Sequence, residues 1–219
     1  MLQRQAAPLR EQAVKVLRDR IVRGELRAGE RLKERILVED LQVSRTVVRE
    51  ALRQLESERL IRIEPQVGPL VAELSADQAR QLYEVRAALE ATAARLAASN
   101  RTDAELRELQ ARLDEIETHL TPLDEILTAK RAFYAALIRA SHNEIIGEQL
   151  DGVQARISQL RRVTLARPDR GPSMISELRA VVDAIAAQDG ARAFAASVEH
   201  VMAASVIAIE YLAKTVEAP

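Results

Sequence analysis

The sequence predicts a mostly α-helical chain in two parts. Residues 1–74 should form a small unit of three helices closed by a β-hairpin, and residues 75–219 an antiparallel bundle of about six helices. Three observations predict it. Apolar residues recur at helical spacing along most of the chain. The β-prone runs, Leu60 to Ile63 and Leu70 to Ala72, lie close together, with Pro65, Gly68 and Pro69 between them as turn residues. Charge is also divided: residues 1–72 hold 15 Lys and Arg against 11 Asp and Glu, while the remainder holds 17 against 22. A basic first third and an acidic rest suit a part that meets nucleic acid joined to a part that does not, although the net charge is −1.

In the first unit, Val14, Leu17 and Ile21 give an apolar face to a helix that Gly24 is placed to stop. A turn follows around Ala28-Gly29-Glu30, then a short helix with Ile36, Leu37, Val38 and Leu41 apolar. After a break near Gln42-Val43 comes the most informative segment, VSRTVVREALRQLE, residues 43–56. Ser44 is a good N-cap, because its hydroxyl can accept a free backbone N–H of the first turn. Val48, Ala51, Leu52 and Leu55 share one face. Arg45, Arg49 and Arg53, spaced four apart, share another. Arg45 and Thr46 fall in the first turn, where a recognition helix presents side chains to base edges. An arginine there can make two hydrogen bonds to guanine, and a threonine can offer its hydroxyl or methyl. Taken by itself the helix could equally be a surface helix with solvated arginines. The preceding helices and the following hairpin, whose tip near Gln66 to Gly68 could lie against the DNA backbone or minor groove, favour a winged helix-turn-helix.

From Ser75 onward the chain reads as helices near 76–99, 103–119, 123–141, 144–166, 173–188 and 190–214. Ser75-Ala-Asp-Gln78 and Thr102-Asp-Ala-Glu105 fit capping boxes. Thr121-Pro122 places a cap before a proline at the first helical position, and RPDRGP at 167–172 is the clearest break. With aromatic residues at 2%, the core must be built of Leu, Ile, Val and Ala. Cysteine is absent, which excludes disulfides and cysteine-based metal or redox sites. No signal peptide and no apolar run of membrane-spanning length is expected, so the expected compartment is the cytoplasm. His119 and His142, at a helix end and in a loop, are expected to be exposed. His200, on an apolar helix, is expected to be a hydrogen-bonded core histidine.

Residues 9–72 resemble the winged-helix domain of the GntR transcription regulators, through IVRGELRAGERLKE and VSRTVVREAL. The resemblance implies contacts to double-stranded operator DNA at Arg35, Ser44, Arg45, Thr46, Arg49 and the wing around Gly68. Three positions depart from the family pattern: Gln42 and Arg59 stand where glycine is usual, and Val47 where proline is usual. Gln42 is expected to need a left-handed backbone, which is harder for a side chain with a Cβ. In the second unit LYEVRAALEATAARLAA, AFYAALIRASHNEII and AVVDAIAAQDGARAFAASVEHV resemble helices of the FCD effector-binding domain found in the FadR-like branch of the same family.

Many FCD domains hold a divalent metal with one aspartate and three histidines. Here the resemblance puts Lys130, Tyr134 and Leu178 at three of those positions and keeps His200 at the fourth. One ligand of four cannot hold a zinc-type ion, so no metal or other cofactor is expected. A cavity without metal can still hold a ligand. Arg86 lies in the family's Glu-x-Arg element, Lys130 adds a second cation, and Tyr134, Asn143 and His200 could supply hydrogen bonds. Arginine grips carboxylates with two parallel bonds, which points to a small anionic effector of the organic-acid type. The alternative is that Arg86 pairs with a glutamate of the bundle and Lys130 reaches solvent. The resulting expectation is a homodimeric, effector-controlled repressor of metabolic genes. A ligand-free regulator whose bundle only dimerises is the second reading. An enzyme with a DNA-binding appendage is the third, and no nucleophile–base pair, phosphate loop or catalytic carboxylate pair supports it.

Overall fold

The computed structural model describes residues 6–167 and 169–217. The chain divides between Leu74 and Ser75 into two compact units.

The first unit runs α1 (Ala6–Val22), α2 (Glu34–Leu41), α3 (Arg45–Ser57), β1 (Ile61–Glu64) and β2 (Gly68–Val71). Its core joins Val14, Leu17 and Ile21 of α1 to Leu37 of α2, to Val48, Ala51, Leu52 and Leu55 of α3, and to Leu60, Ile61 and Val71 of the hairpin. In α2 the apolar run is only partly used: Leu37 is buried, whereas Ile36 faces solvent. The segment expected to be a simple turn at 28–30 does more. Gly29 N–H donates to the Val71 carbonyl, Val71 N–H to Glu30 and Leu32 N–H to Pro69, so residues 29–32 lie along β2 as a short third edge.

Backbone reversals decide where these helices end. Gly24 has φ +73°, with Glu25 N–H bonded to the Arg20 carbonyl and Gly24 N–H to Ile21. This is a Schellman ending, in which a left-handed residue lets the last carbonyls find donors. α3 ends the same way, with Leu60 N–H on Leu55 and Arg59 N–H on Glu56, but the left-handed residue is Arg59 at φ +58°. Gln42, at the end of α2, sits at φ +53°. Both positions where the family pattern has glycine therefore keep the glycine conformation and bear its steric strain. The wing turn places Pro65 before Gln66 at φ +67°, with Val67 N–H reaching Glu64, the arrangement of a type II turn.

The second unit comprises α4 (Ala76–Asn100), α5 (Asp103–Thr118), α6 (Leu123–Ser141), α7 (Glu144–Arg156), α8 (Ser158–Leu165), α9 (Arg170–Ala186) and α10 (Gly190–Glu217). Both capping boxes form, Ser75 with Gln78 and Thr102 with Glu105. Pro122, rather than Thr121, is the N-cap of α6. The helix expected over 144–166 is broken in two at Ile157, which lies at φ −91° and ψ 3°. Ser158 Oγ bonds back to the Ala155 carbonyl at 2.7 Å, a side-chain bond that competes with the helical ladder. The expectation of no spanning-length apolar run is corrected by α10, whose Gly190–Thr215 stretch is long and apolar enough to cross a bilayer. Its apolarity has a local cause: Ala193, Val201, Ala204 and Ala208 are buried in the bundle, together with Ser197, His200 and Ser205. The helix packs against α4 and α9.

Because Arg59 is exposed and left-handed, Arg59→Gly should raise stability by about 0.5–1 kcal/mol. Arg59→Ala, which keeps the strain, should not. Urea unfolding midpoints of the two variants check this.

Candidate functional site

Two groups of residues stand out, one in each unit. In the first, Ser44 has an extended backbone and its Oγ accepts the Val47 N–H at 3.3 Å. A proline at position 47 could not make that bond, so the departure from the family pattern gains a capping contact. The cap fixes how the chain enters α3 and leaves Arg45 and Thr46 exposed in its first turn. Arg49, one turn on, is also exposed and its Nε lies 3.0 and 3.1 Å from the Glu34 carboxylate oxygens. Arg35 is exposed and pairs with Glu39 at 2.9 Å. Such surface pairs contribute little, so a phosphate or base can displace them. Gly68 opens β2 at φ +97°, with none of the described residues within 4 Å of where a Cβ would point.

The second group is a charged chain inside the bundle, built by four helices. Arg86 and Glu90 are consecutive turns of α4 and both 1% exposed. Arg86 Nε and Nη2 donate to the two Glu90 oxygens at 2.7 and 3.1 Å. Arg86 Nη2 also donates to Tyr134 Oη on α6 at 3.0 Å. Tyr134 Oη lies 2.9 Å from His200 Nε2 on α10, and His200 Nδ1 lies 2.7 Å from Glu177 Oε2 on α9. Arg170, at the start of α9, closes the chain with two bonds to Glu177 at 2.5 and 2.7 Å. A single proton arrangement fits these partners. Tyr134 accepts from Arg86 and donates to His200 Nε2, while His200 donates from Nδ1 to the carboxylate.

The electrostatics agree with that arrangement. Burial pushes His200 down to about 4, outweighing the Glu177 bond that favours its proton, so the ring is neutral. Burial would raise Glu177, but its bonds to His200 and Arg170 hold it at about 2. Glu90 is likewise held below the usual carboxylate range, its burial outweighed by Arg86. Burial drives Lys130 well below the ordinary lysine value, helped by Arg86 and Arg161. Its Nζ meets Met174 Sδ at 3.2 Å and lies 5.9 Å from the centre of the Tyr134 ring.

Of the residues singled out in the sequence, Arg86, Lys130, Tyr134 and His200 come together here. Asn143 does not join them: its side chain caps α7, accepting the Ile146 N–H at 3.3 Å. The open alternative for the two cations divides, since Arg86 does pair with a bundle glutamate, whereas Lys130 is buried and does not reach solvent. His119 and His142 are exposed.

Sequence reasoning missed Tyr83, Glu90, Arg161, Arg170 and Glu177. The signal was periodicity. Arg161 shares the face of Ile157, Leu160 and Thr164, and Arg170 shares that of Met174, Glu177 and Leu178, so both fall on buried stripes.

These residues do not fit a divalent metal. His200 has both ring nitrogens engaged by Tyr134 and Glu177, and Lys130 brings an amine where a cation's ligand would be needed. Leu178 is apolar and buried.

The depressed His200 and Glu177 values set a pH dependence. Between about 6.5 and about 4 the unfolded chain binds a proton that the folded His200 refuses. Stability should therefore be full above 6.5 and fall by roughly 3 kcal/mol as pH drops through that window. A further loss follows from about 4.5 to about 2 as Glu177 is protonated. Urea midpoints measured against pH should show the upper slope flattened in His200→Gln; an unchanged slope would contradict the assignment.

Comparison with known proteins places this geometry. Residues 9–71 match the family model of bacterial regulatory proteins of the gntR family, and residues 81–203 match the FCD domain. The HTH-type transcriptional regulator LutR of Bacillus subtilis is 31% identical over 82% of this chain and 92% of its own length. The HTH-type transcriptional repressor RspR of Escherichia coli is 26% identical over 88% and 86%. The solved structure of E. coli McbR/YncC superposes with a TM-score of 0.81 at 25% identity, covering 93% of this chain and 98% of that one. With a gntR-type winged helix-turn-helix followed by an FCD bundle, the chain belongs to the GntR family of DNA-binding transcription regulators, and is not an enzyme.

Proposed function

We propose that the protein is a cytoplasmic, homodimeric repressor of metabolic genes whose hold on its operator is modulated by a small anionic metabolite bound in the FCD bundle. The observation that carries the effector reading is the charge inside the bundle. Arg86, Lys130, Arg161 and Arg170 surround two carboxylates, Glu90 and Glu177. An interior with more basic than acidic groups favours an anion of low molecular weight, and an organic acid supplies one. The Arg86–Glu90 pair by itself would serve equally well in a bundle that only dimerises. The donors left over on Arg161 and Lys130 favour a ligand.

For DNA, Arg45, Thr46 and Arg49 are the base-reading candidates, and Arg35, Ser44 and the wing at Gly68 position the helix on the backbone. Two copies would present two such helices to a palindromic site. The exposed Met202 and Val206, one turn apart on α10, support a surface that a second copy covers. The metabolite shifts operator affinity only by binding one arrangement of the dimer better than another.

Two outcomes follow. Duplexes selected by the protein from a random library should carry two-fold symmetric half-sites, and Arg45→Ala should weaken their binding by roughly 1–3 kcal/mol and relax base preference. In a thermal-shift panel of organic acids, sugar acids, amino acids and divalent metals, one acid should raise the melting temperature. Stabilisation by a divalent metal in place of any acid would overturn the effector reading.

A further inference from the structure

The buried network sorts its own cations. Arg86 is matched by Glu90 and Arg170 by Glu177, each through a two-bond grip. Arg161 has no such partner. Among the described residues its Nε and Nη2 are buried without a hydrogen bond, its Nη1 reaches Gln154 Oε1 at 3.5 Å, and Glu90 Oε1, 3.9 Å from Nη2, is already held by Arg86. Nε and Nη2 form the same edge of the guanidinium that Arg86 uses on Glu90. An edge of that shape, free of any acceptor, is matched by a carboxylate.

Two further donors are in the same condition. Tyr83 is fully buried and its hydroxyl has no partner among the described residues. Its ring lies 5.7 Å from the Arg86 guanidinium carbon. Lys130 Nζ has a thioether for its neighbour, which is a weak acceptor. Arg161 on α8 and Lys130 on α6 lie near one ring, 5.8 and 5.9 Å from the centre of Tyr134. Buried donors without acceptors are costly. Three such groups, two of them beside the Tyr134 ring and the third beside Arg86, point to an acceptor that arrives from outside the chain.

We propose that Arg161, Tyr83 and Lys130 form the receptor for one carboxylate group of the metabolite, and that Arg86 is a positioning residue which holds Tyr134 and Glu90 in place. This rests on the anionic-effector reading above and names the groups that carry it. The residue highlighted by sequence, Arg86, is the one whose donor edge is already filled.

The test titrates acetate, lactate, succinate, gluconate and inorganic phosphate into the full chain by calorimetry, alongside Arg161→Met and Tyr83→Phe. Melting temperatures of the ligand-free proteins are measured in parallel. At least one carboxylate should bind, with affinity lowered tenfold or more by Arg161→Met and by a smaller factor by Tyr83→Phe, and should bind more tightly than phosphate. Without ligand, Arg161→Met should melt at a higher temperature than the parent, because two buried nitrogens without a hydrogen bond are gone. Arg86→Met should melt lower, because Glu90 is left unpaired. An acid that binds the parent and both receptor variants equally overturns this assignment and leaves the effector reading standing. Phosphate binding more tightly than every acid overturns the carboxylate class. A lower ligand-free melting temperature for Arg161→Met shows that Arg161 is structural and overturns its role as receptor. If no acid binds the parent, both this inference and the effector reading fail.

Discussion

Charge inside a helical bundle has to be balanced, and that requirement organises the second half of this protein. Arg86, Glu90, Tyr134, His200, Glu177 and Arg170 link four helices through a continuous set of hydrogen bonds. Breaking such a pair by removing one partner costs about 3–5 kcal/mol, because a buried charge is then left uncompensated. The network therefore fixes the register of α4 against α6, α9 and α10 more sharply than a core of small alanines could. It also explains why α10, despite the composition of a membrane-crossing helix, belongs in the bundle: its inward face carries His200, Ser197 and Ser205, and His200 is bonded there by the Tyr134 hydroxyl and the Glu177 carboxylate.

The first unit works under the opposite condition. Its polar contacts are at the surface, where ion pairs contribute little. Arg49 and Arg35 rest on Glu34 and Glu39 in exposed pairs of this kind. Shape, rather than charge balance, is what the fold secures there. The Ser44 cap starts α3, left-handed Gln42 and Arg59 bracket it, and the hairpin with residues 29–32 forms a small sheet beside it. Two of these devices use a residue with a side chain where glycine would be easier, so some strain is retained around α3.

The sequence was most legible where the signal is local. Caps at Ser44, Ser75 and Thr102 need a hydroxyl and a residue three positions on, and all three form. Apolar spacing located α1, α3 and most of the bundle. The long helix after Asn143 was harder, because the break at Ile157 comes from a side-chain bond of Ser158 and leaves the apolar pattern intact. The polar core was legible in part. Arg86, Lys130, Tyr134 and His200 could be named by resemblance, whereas Arg161 looks like half of an ordinary surface pair with Arg162. In the fold the two diverge: Arg162 reaches out to Asp124 while the Arg161 edge is buried. Asn143 looked like a polar group for the pocket and is instead a helix cap. Which donors are already filled depends on partners brought from distant helices, and no local pattern records that.

Regulation by a metabolite requires that the bundle and the DNA-reading unit share one equilibrium. Linkage makes the requirement exact in sign and size: if the acid changes operator affinity by some factor, the operator changes acid affinity by the same factor. The most direct test measures both sides of this cycle with one acid that binds the bundle. Fluorescence anisotropy gives operator affinity with and without the acid, and calorimetry gives acid affinity with and without the operator duplex. The account predicts equal, non-unity factors from the two. An acid that binds the bundle but leaves operator affinity unchanged would contradict it.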